Sequence, residues 1–149
     1  MTRWKWNEMT EKQKSMVPGA RPTETKANKY HAIRAGADAD AFPELAGRTF
    51  DSRLERDRAC ELVLLQRAGE ISDLFFQLWV NLAGVKYRPD FLYIQDNADI
   101  YEDCKGVETP RFRMIKQLWL EHGPCKLRVT VRNHGRIETK YELIPRETP

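Results

Sequence analysis

Asp90, Asp103 and Lys105 are the residues whose types and spacing best suit chemistry. Arg88-Pro89-Asp90-Phe91 opens one expected strand, and Glu102-Asp103-Cys104-Lys105-Gly106 closes the next. A short polar turn, Gln95-Asp96-Asn97-Ala98-Asp99, joins them, so the two are expected to run as antiparallel neighbours. Side chains two apart in a strand share a face, which puts Asp103 beside Lys105 and turns Glu102 and Cys104 away. With Asp90 on the paired strand, two carboxylates and one ammonium can meet at a single spot. Hard oxygen donors of that kind suit a magnesium ion at about 2.0–2.1 Å, with water completing the octahedron. A lysine beside them can position a water and offset charge on a phosphate.

The elements that must place these groups can be read along the chain. Ser52 is a candidate N-cap, and Arg53 to Ala68 carries Ala59, Leu62, Val63 and Leu65 or Gln66 on one side of a helix, stopped by Gly69. Residues 71–82, ISDLFFQLWVNL, read as one strand, followed by YRPDFLYI and IYEDCKG as two more. Thr109-Pro110 starts a second helix with Phe112, Ile115 and Trp119 as its apolar stripe, ending at Gly123. KLRVTVR and IETKYELI then form a hairpin around Asn133-His134-Gly135. The order helix, strand, strand, strand, helix, strand, strand gives an α/β (α+β) class with a mixed sheet flanked by helices.

Length bounds this further. At 149 residues the chain is one domain's worth of sequence, and its 41% hydrophobic content demands a contribution from every element. The first 48 residues, broken by Pro18, Gly19, Pro22, Gly36, Pro43 and Gly47, read as an irregular arm, with order expected from Phe50 and the domain proper over 49–149. Residues 1–36 hold eight basic against three acidic side chains, +5 on the arm, while the remainder is −2 within an overall +3. This is a phosphate-seeking extension or a solvated tail, and composition leaves both open. Trp4 and Trp6 can stack on bases or anchor the arm. No apolar run nears the roughly 20 residues of a membrane span, and the polar N-terminus is unlike a secretory signal, so the expectation is cytoplasmic, with no membrane partner. Three cysteines without a CxxC argue against a zinc ribbon or disulfide scaffold. Without a GxSxG, Walker or Rossmann motif, acyl transfer, nucleotide hydrolysis and hydride chemistry lose their usual support, and no small-molecule cofactor is expected.

Pro89-Asp90 followed by Asp103-x-Lys105 on the adjoining strand resembles the PD-(D/E)XK nuclease signature. The longer string FDSRLE, LLQRAGEI, YRPDFLYI, YEDCKG and TPRFR is similar to small phage-encoded proteins of that superfamily, including phage Holliday-junction resolvases, over roughly residues 28–122. The resemblance implies a restriction-endonuclease-like core and magnesium-dependent hydrolysis of phosphodiester bonds in DNA, with manganese as a substitute. It makes Asp90 and Asp103 metal ligands, Lys105 the catalytic lysine and Glu55 an additional carboxylate and ligand. It further implies 5′-phosphate products, branched substrates in phage recombination or genome processing, and a homodimer.

Each assignment has a plainer rival. Ser52-Arg53-Leu54-Glu55 has capping-box spacing, although Glu55 also lies on the stripe with Ala59 and Leu62. A slip of register would exchange Glu102 for Asp103 as ligand, and facing geometry favours Asp103. Lys29 and Arg34 in the arm, Arg111 and Arg113 at the second helix start, and Lys116 further along are candidate contacts to nucleic acid, Lys116 alternatively being an exposed helical charge. Gln77 is a candidate contact to water or substrate, and Cys104 is expected in the core. A catalytically silent DNA-binding or assembly protein, and a nuclease of RNA, are the competing functions.

Overall fold

The computed structural model describes residues 35–147. Among these residues a five-stranded mixed sheet carries one helix on each face. Its elements are β1 (Ala35–Gly36), β2 (Thr49–Phe50), α1 (Arg53–Arg67), β3 (Ser72–Phe76), β4 (Val80–Leu82), β5 (Val85–Tyr87), β6 (Phe91–Gln95), β7 (Ala98–Cys104), α2 (Pro110–His122), β8 (Lys126–Asn133) and β9 (Arg136–Leu143). The main sheet has the order β3-β6-β7-β8-β9. Every neighbouring pair is antiparallel except β7 with β8, which run parallel because α2 carries the chain across.

Local chemistry sets these boundaries. The Ser52 hydroxyl accepts the Glu55 amide at 3.1 Å to open α1, and Gly69 at φ 77° takes the chain out of it. The Thr109 hydroxyl accepts the Phe112 amide at 3.1 Å and Pro110 stands first in α2, as the sequence suggests. Asp96 and Asn97 both take positive φ, as do His134 and Gly135, so both hairpins close on tight turns that follow the strand twist. Gly123 ends α2 where a β-carbon would come within 2.6 Å of the Trp119 indole nitrogen.

Two apolar clusters hold the layers together. Ala59, Leu62 and Val63 of α1 pack on Phe91, Tyr93 and Ile100 of the sheet. Phe112, Ile115 and Trp119 of α2 pack on Leu127 and Val129 and on Val80, Leu82 and Tyr87 of the β4–β5 hairpin. Because Ile100 and Tyr101 are adjacent in β7 yet join different clusters, the helices lie on opposite faces. Among the described residues no helix is long and apolar enough to cross a membrane.

Two expectations need correcting. The stretch 71–82 is not a single strand. Gln77 takes φ 52° and ends β3, so Val80–Leu82 becomes one arm of a separate hairpin with Val85–Tyr87, turned at Ala83 and Gly84. Pro89, which has no amide hydrogen to give a ladder, separates that hairpin from β6. Order also begins before Phe50. Ala35 pairs with Phe50 and Gly36 with Thr49, while Leu45, on a single turn over Pro43–Leu45, is 1% exposed in the α1 cluster. A two-residue ladder is too short to leave a periodic signal, so Pro43 and Gly47 read as breakers only. Lys29, Arg34, Trp4 and Trp6 lie outside the described residues.

Candidate active site

Asp90 and Asp103 stand opposite one another one step past the last ladder pair, Phe91 with Glu102. They open on a cleft of about 320 Å³ lined by Glu55, Asp90, Asp103 and Lys105 together with both helix caps, Ser52 and Thr109. The cleft therefore lies where β7 ends, between the N-termini of α1 and α2.

Each carboxylate is held by specific donors. The Asp90 Oδ2 accepts the Cys104 amide at 2.7 Å. The Asp103 Oδ2 accepts both the Lys105 ammonium at 2.7 Å and the Tyr87 hydroxyl, and Asp103 is 2% exposed. Glu55, 4% exposed, accepts the Asp51 amide at 3.1 Å on Oε2 and the Gln77 amide group at 3.2 Å on Oε1. The capping box is thus displaced by one residue: Ser52 caps Glu55, but Glu55 reaches back to Asp51. Lys105 lies 4.5 Å from the Phe112 ring centre, and its own amide donates to the Thr130 carbonyl at 2.9 Å.

Burial in this crowd of acids shifts their protonation. Burial pushes the Glu55 carboxyl up to about 7, with the charges of Asp51 and Asp103 adding to it. Asp90 is raised well above the ordinary carboxylate range, first by burial and then by the neighbouring charge of Asp103. Burial works to lower the Lys105 ammonium, but Asp103 and Asp90 outweigh it and its pKa is raised. With Asp51 the lining holds four acids and one cation, which leaves the pocket short of positive charge.

Glu102 has another duty. Its carboxylate is fully buried on the α1 face, where the Arg58 guanidinium grips it at 2.6 and 2.9 Å and the Tyr93 hydroxyl donates at 2.7 Å. Asp103, not Glu102, thus faces the cleft. Cys104 packs against the α1 cluster.

The candidate nucleic-acid contacts divide. Arg111 and Arg113 are exposed on the first turns of α2, Arg111 donating to the Lys86 carbonyl at 3.1 Å. Lys116 is neither free nor at the cleft; it is paired with Glu108 at 2.9 Å, beside the Tyr141 ring. Gln77 lies past the end of β3, not within it, and touches Glu55. Sequence reasoning missed Tyr87, for which the one available signal was the Val85-x-Tyr87 alternation after Gly84. It also missed the pairing of the two helix caps across the cleft.

Among the described residues no group of three or more His, Cys, Asp or Glu side chains has the spacing of a ready-made metal site. The donor set still fits a hard divalent cation, because magnesium takes one or two carboxylates and completes its shell with water and phosphate. No family model, curated protein or solved structure matches this chain.

Proposed function

We propose that this protein is a divalent-metal-dependent nuclease that hydrolyses phosphodiester bonds in DNA. The observation that carries the reading is the convergence of Asp90, Asp103, Glu55 and Lys105 on one cleft between two helix N-termini. Asp90 and Asp103, with Glu55 beside them, would hold magnesium or manganese, which supplies an activated water and a counter-charge for the phosphate. The chain's own groups account for the rest. Lys105, fixed by Asp103 and the Phe112 ring, presents an ammonium to charge developing on the phosphate. The first turns of α1 and α2 direct backbone amides and the positive ends of their dipoles toward the same space, where an anion is favoured. Gln77 and the Asp51 amide keep the Glu55 carboxylate turned into the cleft.

The restriction-endonuclease-like arrangement of the core is part of this proposal, supported by a meander of β3, β6 and β7 followed by α2 and a parallel β8. A branched DNA substrate, a homodimer and a role in phage recombination rest on the sequence resemblance alone, and a cytoplasmic setting on the polar N-terminus and the lack of a long apolar run.

The test is cleavage of a labelled four-way junction, a matched duplex, single-stranded DNA and RNA, with magnesium, manganese or chelator. Metal-dependent cutting is expected, reduced about 10²–10³-fold in Lys105→Ala by loss of a preorganised cation. DNA binding without cutting of any substrate would replace the reading with a catalytically silent binding module. Cutting confined to RNA would move the activity to the other nucleic acid.

A further inference from the structure

Gln77 joins the acidic cleft to a second one. Its amide N–H donates to the Asp90 carbonyl at 3.0 Å and its side chain to Glu55 at 3.2 Å. On its other side it lines a cleft of about 270 Å³ with Gly47, Arg48, Thr49, Phe50 and Phe76. Arg48 supplies the formal charge of that lining. Its guanidinium lies 4.0 Å over the Phe76 ring, and among the described residues no carboxylate pairs with it. Arg56, Arg58, Arg67 and Arg132, by contrast, are each salt-bridged to Asp or Glu. A guanidinium laid on an aromatic face is held in place while its N–H edge stays available to an anion with two acceptor oxygens, such as a phosphate.

The surroundings select the anion. Thr49 pairs with Gly36 in the β1–β2 ladder, so Ala35 and Gly36 run beside Arg48. The segment that precedes Ala35 carries eight basic and three acidic side chains. The net positive charge of that segment favours a polyanionic partner, and the Arg48 guanidinium fits one of its phosphates.

We propose that the Arg48 cleft binds a backbone phosphate of the nucleic-acid substrate, next along the strand from the phosphate that enters the acidic cleft. The assignment rests on the nuclease reading and gives it a substrate-holding site apart from the reacting centre. Gln77, which lines the Arg48 cleft and donates to Glu55 of the acidic one, ties the two together.

The experiment measures DNA binding by the full chain in chelator, where nothing is cut, across a salt series, and then steady-state cleavage in magnesium. For Arg48→Ala the slope of log K against log salt should fall by about 0.7–0.9, the value of one phosphate contact. The loss in kcat/KM should match the loss of affinity, about 3- to 10-fold at moderate salt. Arg48→Lys should restore the slope. Should Arg48→Ala fail to fold, Arg48→Gln, which keeps a side-chain stem on Phe76, takes its place. An unaltered slope in Arg48→Ala, where the wild-type protein cleaves DNA, overturns this proposal and spares the nuclease reading. Weakened binding of inorganic phosphate alone, with DNA binding unchanged, also overturns it. A reduced slope in a protein that never cuts supports the cleft and removes the nuclease, and absence of any DNA binding removes both.

Discussion

The Tyr87 hydroxyl donates to the same Oδ2 of Asp103 that accepts the Lys105 ammonium. One carboxylate oxygen is thereby committed to two donors, and the orientation of the group is fixed. Tyr87 arrives from the β4–β5 hairpin, outside the main sheet, and its ring meets Trp119 edge-on at 6.1 Å and Phe112 at 6.4 Å. The hairpin therefore acts as a strut that brings a hydroxyl to Asp103.

Tyr87→Phe keeps the ring and removes the donor. Loss of a group that orients a metal-binding side chain typically costs about 10–100-fold in metal affinity or activity, and that range is expected here. Calorimetric titration with manganese should show weaker binding, while KM for DNA stays near its wild-type value. Unchanged manganese affinity together with a full kcat would show that Tyr87 only packs.

The raised acids make the metal-free protein sensitive to alkali. Glu55 titrates near 7 when folded against 4.5 ordinarily, so the folded chain holds more protons than the unfolded one between those values. Its contribution is complete below about 4.5 and is lost as pH rises through about 7, amounting to about 3 kcal/mol. Asp90 acts in the same direction. Melting temperature in chelator should accordingly fall from pH 5 to pH 8. Magnesium at pH 8 should restore much of it by engaging the ionised carboxylates. Glu55→Gln should flatten the profile; a profile as steep as that of the wild type would assign the effect elsewhere.

Glu102 and Asp103 are adjacent in sequence and opposite in consequence. Arg58→Met strands a carboxylate that is fully buried, and breaking such a pair costs about 3–5 kcal/mol. Chemical denaturation should report that loss. Among molecules still folded, Glu102→Gln should cleave DNA at near the wild-type rate, whereas Asp103→Asn should be inactive. Equal loss of cleavage in both would reverse the assignment of the two carboxylates.

Much of this arrangement is legible in the sequence because its cues are local. The period of two in YEDCK separates Glu102 from Asp103, and the N-caps Ser52 and Thr109 mark both helices at their observed starts. The apolar stripe Phe112, Ile115 and Trp119 is buried as its spacing requires. The division of 71–82 is hidden because a left-handed Gln77 inside an apolar run carries no Gly or Asn to announce it. Tyr87 is hidden because its partner is set by packing of a hairpin against α2, a relationship with no fixed spacing. The commitment of Lys116 to Glu108 is likewise tertiary, since Glu108 lies before the helix begins.

The parallel ladder between β7 and β8 has a kinetic consequence. It is a seam between two halves, β3-β6-β7 with α1 and β8-β9 with α2, crossed by Tyr101 of β7, whose ring meets Trp119 edge-on at 5.3 Å. Asp90 and the amide that holds it belong to the first half, whereas the Thr130 carbonyl that anchors Lys105, and the helix that carries the hairpin with Tyr87, belong to the second. Partial opening along the seam releases the Lys105 backbone from Thr130 and draws the Tyr87 hydroxyl off Asp103, while the α1 cluster keeps its core. In native-state hydrogen exchange the Lys105 amide should therefore exchange through a smaller opening than the β6–β7 amides. The protein would lose its chemistry well before it loses its shape.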